Sequence, residues 1–586
     1  MADLLSLGVS DSHEAGVALV RGNRVLAALN EERLTRKKMA AGLPTRSLER
    51  IWEIAGVRPE EVQAVGLAGF ASSGEATPTN TDFSNDAGVK LLSQRSAELI
   101  DSVPGLRRIQ ASNPASKLYR AALRISGRGR RAAIRHTLDA VGVRAPLLVF
   151  DHHAAHVASA YYTGGDPDAL ILTNDSFGDG LCSTVAVGDS RTNRFRILQT
   201  NSFFNSLGSY YNVVTRYCGF PKIHHAGKTT GLAAFGDPEK TLPIFRELIG
   251  WDSARGRYQN RGRLFQNCAA EVDTRLRGHS REDAAAGIQR RCEEILCAMV
   301  EHFVRRTGRR CVLVAGGIHA NVRVNQCIAG LQDVERLYVF PSMGDGGLAL
   351  GAAFLAATGD GPVAFQPSLL EHVYLGPAYA ESEMLAAVEG HGLSCERVSD
   401  SPAVIARLLA EGRIVGRFDG RMEYGPRALG NRSILYPATR SDVNGWLNQR
   451  LGRTEFMPFA PVLRAADAPQ FLSSHSRVTE HSEQFMTTTC SVTTRCRREA
   501  PAVVHVDGTA RPQVLRRETN PDLFAVLDRY HHLTGLSVLV NTSFNMHEEP
   551  IVCSPEDAVR AFVQSGIDAV AMGPFILRQP GSRRVP

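Results

Sequence analysis

One strand-and-turn pattern occurs twice in the first half of this chain, and a chain that repeats such a unit is constrained to build two related α/β halves. The first copy, "LLSLGVSDSHEAGVALVRGNRVLAALN", is an apolar run, a polar turn, and two further apolar runs separated by "RGNR". Short β-type runs around a Gly-Asn turn predict a strand, a loop and a hairpin. The second copy is "PDALILTNDSFGDGLCSTVAVGDS", again strand, acidic Gly-rich turn and strand, and "RRCVLVAGGIHANVRVNQCIAG" adds a strand, a Gly-Gly turn and a helix. Around residues 360–380, "GDGPVAFQPSLLEHVYLGPAY" is rich in Pro and Gly and lacks helical periodicity, as an interdomain connection would. A second α/β unit follows, from the amphipathic "PAVIARLLAEGRIVGRFDGR" to the strand "VLVNTSFN" and a last helix that Ser554 caps with Pro555 in its first turn. The 586 residues thus divide into several folding units, as length alone requires.

Composition narrows the class. Hydrophobic residues at 43% and charged residues at 22% suit a water-soluble globular chain. No run of about 18 uncharged apolar residues occurs, and "MADLLSLGVSDSHE" lacks the basic and apolar regions of a signal peptide, so a cytoplasmic protein is expected, with no membrane partner. The 11 cysteines include no C-x-x-C pair, the closest being Cys292 and Cys297, which argues for packed, reduced thiols. The net charge of +7 is concentrated in places such as "SKLYRAALRISGRGRRAAIRHTL" (116–138). Without interleaved aromatics or a binding motif, that stretch reads as a solvated basic insertion rather than a nucleic-acid face.

Chemistry concentrates in a few motifs. In "FDHHAAHVASAYY", His152 and His156 share one face of a helix that follows an apolar strand, so two imidazoles can reach one ion. Asp175 in "TNDSFGDG" and Asp345 in "SMGDGG" are acidic residues in Gly-rich turns after strands, and a set of two His and two Asp suits Fe(II), Mn(II) or Zn(II). The same turns, around Asp11, Asp175–Gly180 and Asp345–Gly347, have a nucleotide reading, in which backbone N–H groups, Gly346 among them, cradle phosphates. Gly316 and Gly317 would let a ribose or base approach, with Asn321 and Asn325 one turn apart for hydrogen bonds. "HHAGKTTG" is not a P-loop, because Lys222 stands where the first glycine is required, although Lys228 remains a phosphate candidate. In the second unit Arg421, Arg427, Arg432, Arg450, Arg453 and Arg511 lie among Gly, Pro and Ala, as donors for phosphate or carboxylate would. Asn541, Ser543 and Asn545 end an apolar strand, where short polar groups bind ligands.

The ordered set "HHAAHVASAYY", "NDSFGDG", "GKTTGLAAFGDP", "AGGIHANVRVNQ", "PSMGDGGLALGAA", "GRMEYGPRALGNRSI", "PFAP", "HVDGTARPQ" and "VNTSFN" resembles the O-carbamoyltransferase family that includes tobramycin carbamoyltransferase and the nodulation carbamoyltransferases, from about residue 5 to about 575. The resemblance implies a threonylcarbamoyl-transferase-like domain at 1–365, of duplicated actin-like, sugar-kinase-like fold, with a basic insertion at about 80–140. It implies a YrdC-like α/β domain that forms carbamoyl-adenylate at 366–586. The implied activity takes carbamoyl phosphate and ATP, with Mg2+, to carbamoyl-adenylate and then to a hydroxyl of a small-molecule natural product. His152, His156, Asp175 and Asp345 would hold a divalent metal, expected to be Fe2+, and His13 would act as general base or polarise the carbonyl. Arg427, Arg432, Arg453, Arg511, Ser543 and Asn545 would bind carbamoyl phosphate and the adenylate.

The chain departs from the family pattern at Leu451, Gly452 and Met457, where cationic residues are usual, and at the basic insertion. Two rival readings stand beside this one: threonylcarbamoyl transfer to tRNA, favoured by the insertion and opposed by the GPRALGNRS and PFAP motifs, and a catalytically silent nucleotide-binding partner protein. No nucleic-acid partner is expected on the first reading, and a homodimer is compatible with it.

Overall fold

Two sheets of one plan carry the duplicated pattern. A computed structural model describes residues 4–70, 120–124, 127–263, 265–359, 364–439, 441–450 and 459–579. It divides into two compact units, one of residues 1–31 and 39–370, the other of residues 32–38 and 371–586.

In the first unit β1 (Leu5–Ser10), β2 (Gly16–Arg21), β3 (Arg24–Asn30), β4 (Ala64–Ala68) and β5 (Leu147–Phe150) form a sheet of order β3-β2-β1-β4-β5. The three N-terminal strands are antiparallel neighbours, and β4 and β5 run parallel to β1. The second sheet repeats the order and the directions as β8-β7-β6-β11-β12, from β6 (Leu170–Gly178), β7 (Leu181–Asp189), β8 (Arg194–Ser202), β11 (Cys311–Ala315) and β12 (Arg336–Val339). A small hairpin of β9 (Ile249–Asp252) and β10 (Arg257–Asn260) stands apart.

The helix Leu348–Thr358, "LALGAAFLAAT", has no polar face and is buried on nearly every side, as an all-apolar helix must be. It packs on β1 and β4 and against the helix His152–Thr163. The approach of the two helices depends on Gly351, because a Cβ there would lie 1.9 Å from the Ala155 carbonyl oxygen.

The second unit is built on an eight-stranded mixed sheet of order β13-β22-β21-β14-β15-β20-β16-β19. Its strands are β13 (Glu396–Arg397), β14 (Val415–Phe418), β15 (Arg432–Pro437), β16 (Ala460–Arg464), β19 (Gln513–Leu515), β20 (Val538–Ser543), β21 (Ala569–Met572) and β22 (Phe575–Arg578). A two-residue ladder pairs β17 (Cys490–Ser491) with β18 (Thr509–Ala510). Ser554 caps the last helix as its sequence predicts, accepting from the Asp557 N–H, while Asp557 accepts from the Ser554 N–H. Among the described residues no helix is long and apolar enough to cross a membrane.

Candidate active site and anion site

The helix His152–Thr163 begins one residue after β5, capped by Asp151, whose carboxylate accepts from the Ala154 N–H at 2.9 Å. The i, i+4 spacing puts His152 and His156 on one face. Asp175 projects from β6, and Asp345 opens the turn that leads into the helix Leu348–Thr358. The helix–helix contact at Gly351 therefore also brings Asp345 to the histidines. His152 Nε2 lies 3.4 Å from Asp175 Oδ2 and 3.5 Å from Asp345 Oδ1, and the corresponding distances from His156 Nε2 are 3.3 and 3.5 Å. One ligand atom of each residue lies within 4.8 Å of every other.

These separations are longer than good hydrogen bonds and match a shared ion. Ligand atoms about 2.1 Å from a tetrahedral ion stand about 3.4 Å apart. The side chain of His156 is fully buried, and its Nδ1 has no hydrogen-bond partner among the described residues. Two neutral imidazoles and two carboxylates would balance a divalent cation. Burial opposes charge on His152, but Asp345 and Asp175 outweigh it and raise its pKa to about 10, which shows how strongly the two carboxylates favour a cation between them. The same imidazoles hold Asp175 well below the usual carboxylate range against the cost of burial, and Asp345 is lowered in the same way.

His13 stands at the rim, its side chain 40% exposed and its Nδ1 3.3 Å from Asp345 Oδ2. Burial works against its charge, but Asp345, Glu14 and Asp175 prevail and raise its pKa.

Other expectations for this unit change. Asn321 caps the helix Val322–Ala329, accepting from the Val324 N–H at 3.2 Å and donating to Gln289 at 2.7 Å. Asn325 is fully buried and bonds His319, so both asparagines serve the fold rather than a nucleotide. The Gly346 N–H donates to the Glu14 carboxylate at 2.7 Å, and an acidic side chain thus fills that place in the expected phosphate cradle. Gly316 has a φ of +96°, and a Cβ there would lie 2.2 Å from the Asn174 carbonyl oxygen, so it is a turn and packing glycine. A Cβ on Gly317 would come 3.1 Å from Asp175 Oδ1, so that glycine leaves space beside the cluster. The Lys228 ammonium lies 5.9 Å from the centre of the Phe220 ring.

The basic segment is not simply solvated. Arg130 binds Asp11 through Nε at 2.8 Å and NH2 at 2.5 Å and donates to the Gly69 carbonyl at 2.6 Å, so the Asp11 turn is held by a guanidinium from that segment. Arg120 pairs with Asp151, and Arg135 donates to the carbonyls of Ala145 and Val143. Residues 80–119 of the expected insertion lie outside the described residues.

In the second unit the arginine cluster separates into two groups. Arg432 is fully buried, with NH1 donating to the carbonyls of Asp419 (2.8 Å) and Asn431 (2.9 Å) and NH2 to those of Gly420 (3.2 Å) and Pro377 (3.3 Å). Its guanidinium also stacks 3.8 Å above Phe418. Its two terminal nitrogens fasten loops, in contrast to the phosphate-binding role expected of it, and only its buried Nε is without a hydrogen bond among the described residues. Arg421 likewise donates to the carbonyls of Gly376 and Leu375. Ser543 and Asn545 bond each other, and Asn545 donates to the carbonyls of Met546 and Glu549, which shapes that loop from within.

Arg427 and Arg511 behave differently. Neither guanidinium has a hydrogen bond or ion pair among the described residues, and both Nε atoms are buried. Burial lowers the Arg427 pKa to about 10, and burial together with the nearby Arg427 charge pushes Arg511 far down. Two desolvated like charges side by side are costly unless an anion completes them. Arg453 and the segment 451–458 lie outside the described residues, as does the side chain of Arg450.

Comparison with known proteins decides the family. The model of the carbamoyltransferase N-terminus matches residues 6–354, and that of the carbamoyltransferase C-terminus matches residues 406–579. The chain belongs to the carbamoyltransferase family. Among its relatives, nodulation protein NolNO of Sinorhizobium fredii is 31% identical over 581 residues, covering 97% of this chain and 79% of that protein. The 3'-hydroxymethylcephem-O-carbamoyltransferase of Streptomyces clavuligerus is 26% identical over 582 residues, covering 95% and 96%. Among solved structures, a ROK family glucokinase from Streptomyces griseus superposes over 61% of this chain and 100% of its own at 11% identity, with a TM-score of 0.26.

Several residues support the candidate sites of this carbamoyltransferase in ways the sequence did not indicate, and Asn541, expected to bind ligand, is one of them. Asp179, at a φ of +49°, accepts from the N–H groups of His152 and Phe70 at 2.9 Å and so fixes the start of the His152 helix. Glu423 is buried, and its Oε1 collects the N–H groups of Leu429, Asn431 and Arg432, which sets the loop that presents Arg427. Asn541 and Gln513 hold the carbonyls of Ala428 and Leu429 in the same loop.

Proposed function

We propose that this chain is an ATP-dependent O-carbamoyltransferase that activates carbamoyl phosphate in its second unit and carbamoylates a hydroxyl of a small-molecule acceptor in its first. The observation that carries this reading is the pair Arg427 and Arg511, which have no anionic partner among the described residues in a chain of this family. Two guanidinium forks suit the oxyanions of carbamoyl phosphate and of a nucleotide phosphate. On this reading the eight-stranded sheet is a YrdC-type domain, and the duplicated sheets are an actin-like, kinase-like framework for ATP-derived substrates.

The chemistry balances as follows. Water cleaves carbamoyl phosphate to carbamate and phosphate, and a carbamate oxygen attacks the α-phosphorus of ATP, displacing pyrophosphate and giving carbamoyl-adenylate. The acceptor hydroxyl then attacks the carbamoyl carbon, the bond to the AMP oxygen breaks, and the acceptor keeps the carbamate ester. Arg427 and Arg511 neutralise the charge that builds on the phosphoryl oxygens. His13, half-exposed at the rim, takes the hydroxyl proton. His152, His156, Asp175 and Asp345 would hold the divalent ion, of which Fe(II) is one candidate, and when bound it supplies Lewis acidity and a template for phosphate oxygens.

The test is release of pyrophosphate from ATP that depends on carbamoyl phosphate, followed by mass spectrometry for one added carbamoyl unit across hydroxylated scaffolds that include aminoglycoside and cephem alcohols. Absence of pyrophosphate release in the metal-loaded protein would refute the activation step.

A further inference from the structure

The second unit contains a piece of chain from near the N-terminus. Residues 32–38, "ERLTRKK", group with residues 371–586, while the chain on either side of them belongs to the first unit. Two arginines of this strap enter the second unit at chosen places. Arg33 is buried, and its NH2 donates to the Gly425 carbonyl at 2.7 Å, two residues before Arg427. Arg36 donates from NH1 to the Ile551 carbonyl and from NH2 to the Pro550 carbonyl, both at 2.7 Å. Its Nε pairs with Asp557 at 3.1 Å and its NH2 with Glu549 at 3.6 Å. Arg36 does this at a φ of +59°, a backbone conformation that a side chain with a Cβ rarely adopts and that persists only where surrounding contacts hold it.

The two anchor points share a property. Gly425 belongs to the loop that presents Arg427. Pro550 and Ile551 end the loop that begins at Ser543 and Asn545, and the Val552 N–H closes that loop on the Phe544 carbonyl at 2.9 Å. Phe544 in turn donates to the carbonyl of Arg432, which follows the Arg427 loop directly. A single strap therefore fastens the loop that carries Arg427, whose guanidinium has no partner among the described residues, and the loop bonded to Arg432 at the end of it.

We propose that Arg33 and Arg36 are positioning residues of the anion site: the strap 32–38 holds the Gly425–Gly430 loop and the 543–552 loop in the conformation that binds carbamoyl phosphate. This rests on the reading of Arg427 and Arg511 as that site. Because the strap is covalently part of the first half of the chain, the second half alone would lack two of the guanidiniums that shape its own binding loops.

The experiment uses the full chain with Arg33→Lys, Arg36→Lys and Arg36→Ala. Lysine keeps the charge but cannot fork to two carbonyls and a carboxylate at once. Amide hydrogen exchange at 425–431 and 544–552 is expected to accelerate about tenfold in the Arg36 variants, while exchange in β1–β5 stays as in the wild type. The affinity for inorganic phosphate, read by titration calorimetry, should fall about tenfold, and the KM for carbamoyl phosphate should rise by a similar factor while kcat changes less. If Arg36→Ala does not fold, Arg36→Lys decides. Unaltered exchange in both loops and unaltered phosphate affinity in folded variants would overturn the proposal. Failure of the wild type to release pyrophosphate would remove the functional reading and leave the exchange and phosphate results to judge the strap alone.

Discussion

Gly351→Ala tests whether the His152, His156, Asp175 and Asp345 cluster, proposed to hold a metal, depends on one close approach of two helices. The added Cβ would sit 1.9 Å from the Ala155 carbonyl oxygen and 2.6 Å from the carbonyl carbon, both of them backbone atoms that cannot rotate aside. Ordinary contact needs about 3.5 Å, so the two helices must separate by roughly 1.5 Å. Asp345 opens one helix and His156 lies on the other, 3.5 Å apart, and metal ligands tolerate displacements of only about 0.2 Å. The variant should therefore lose Asp345 as a ligand, at a cost in metal affinity larger than the roughly 10–100-fold seen when an outer-shell partner is removed. Overpacking should also lower stability by about 1–3 kcal/mol. Cobalt(II) titration under anaerobic conditions, followed by its visible absorption, reads the affinity, and thermal unfolding reads the stability. Gly390→Ala is the control, since a Cβ at that helical position meets nothing within 4 Å and should be neutral or stabilising. If Gly351→Ala binds cobalt as the wild type does, the packing argument for the cluster is wrong.

Three further outcomes are expected. Asp345→Asn and Asp175→Asn should each remove the charge balance of the cluster and weaken cobalt binding by at least about 100-fold, and His156→Ala should do the same while leaving phosphate affinity at the second unit intact. Arg511→Met should raise the melting temperature, because it relieves two desolvated like charges, and abolish stabilisation by phosphate; a lower melting temperature would show that the pair is already compensated. The buried Glu483 carboxylate pairs with His475 and raises its pKa, while burial opposes this. A raised histidine pKa stabilises the fold fully below about pH 6.5 and loses that contribution as pH climbs through the folded value. The melting temperature of the wild type should thus exceed that of His475→Gln in mild acid and converge on it in mild alkali, and a difference independent of pH would refute the assignment.

What the sequence revealed follows from how local each signal is. The duplicated sheets were legible because a period-2 apolar run and a Gly-Asn turn are written within about ten residues. That His152, His156, Asp175 and Asp345 come together was legible in part. His152 and His156 share a helix face by spacing alone, whereas Asp175, read as a turn residue, stands within β6 and Asp345 in the turn after β12, both in the second sheet. The arginines show where local reading ends. Arg427 and Arg432 stand five residues apart in one motif, yet β15 begins at Arg432 and its pairing with β14 turns that side chain inward over Phe418, while Arg427 remains in the loop before it. Which of two guanidiniums meets backbone carbonyls and which awaits an anion is decided by strand pairing across the sheet, which no spacing within "GPRALGNRS" encodes. The strap is more distant still. The bond from Arg36 to Ile551 joins residues 515 positions apart, and "EERLTRKK" on its own looks like a solvated charged turn. Its role follows from the partners of each guanidinium, which divide the arginines into those that donate to backbone carbonyls and those that donate to nothing among the described residues. By that criterion Arg33, Arg36, Arg421 and Arg432 are structural pins, and Arg427 with Arg511 is the pair to which a ligand must answer.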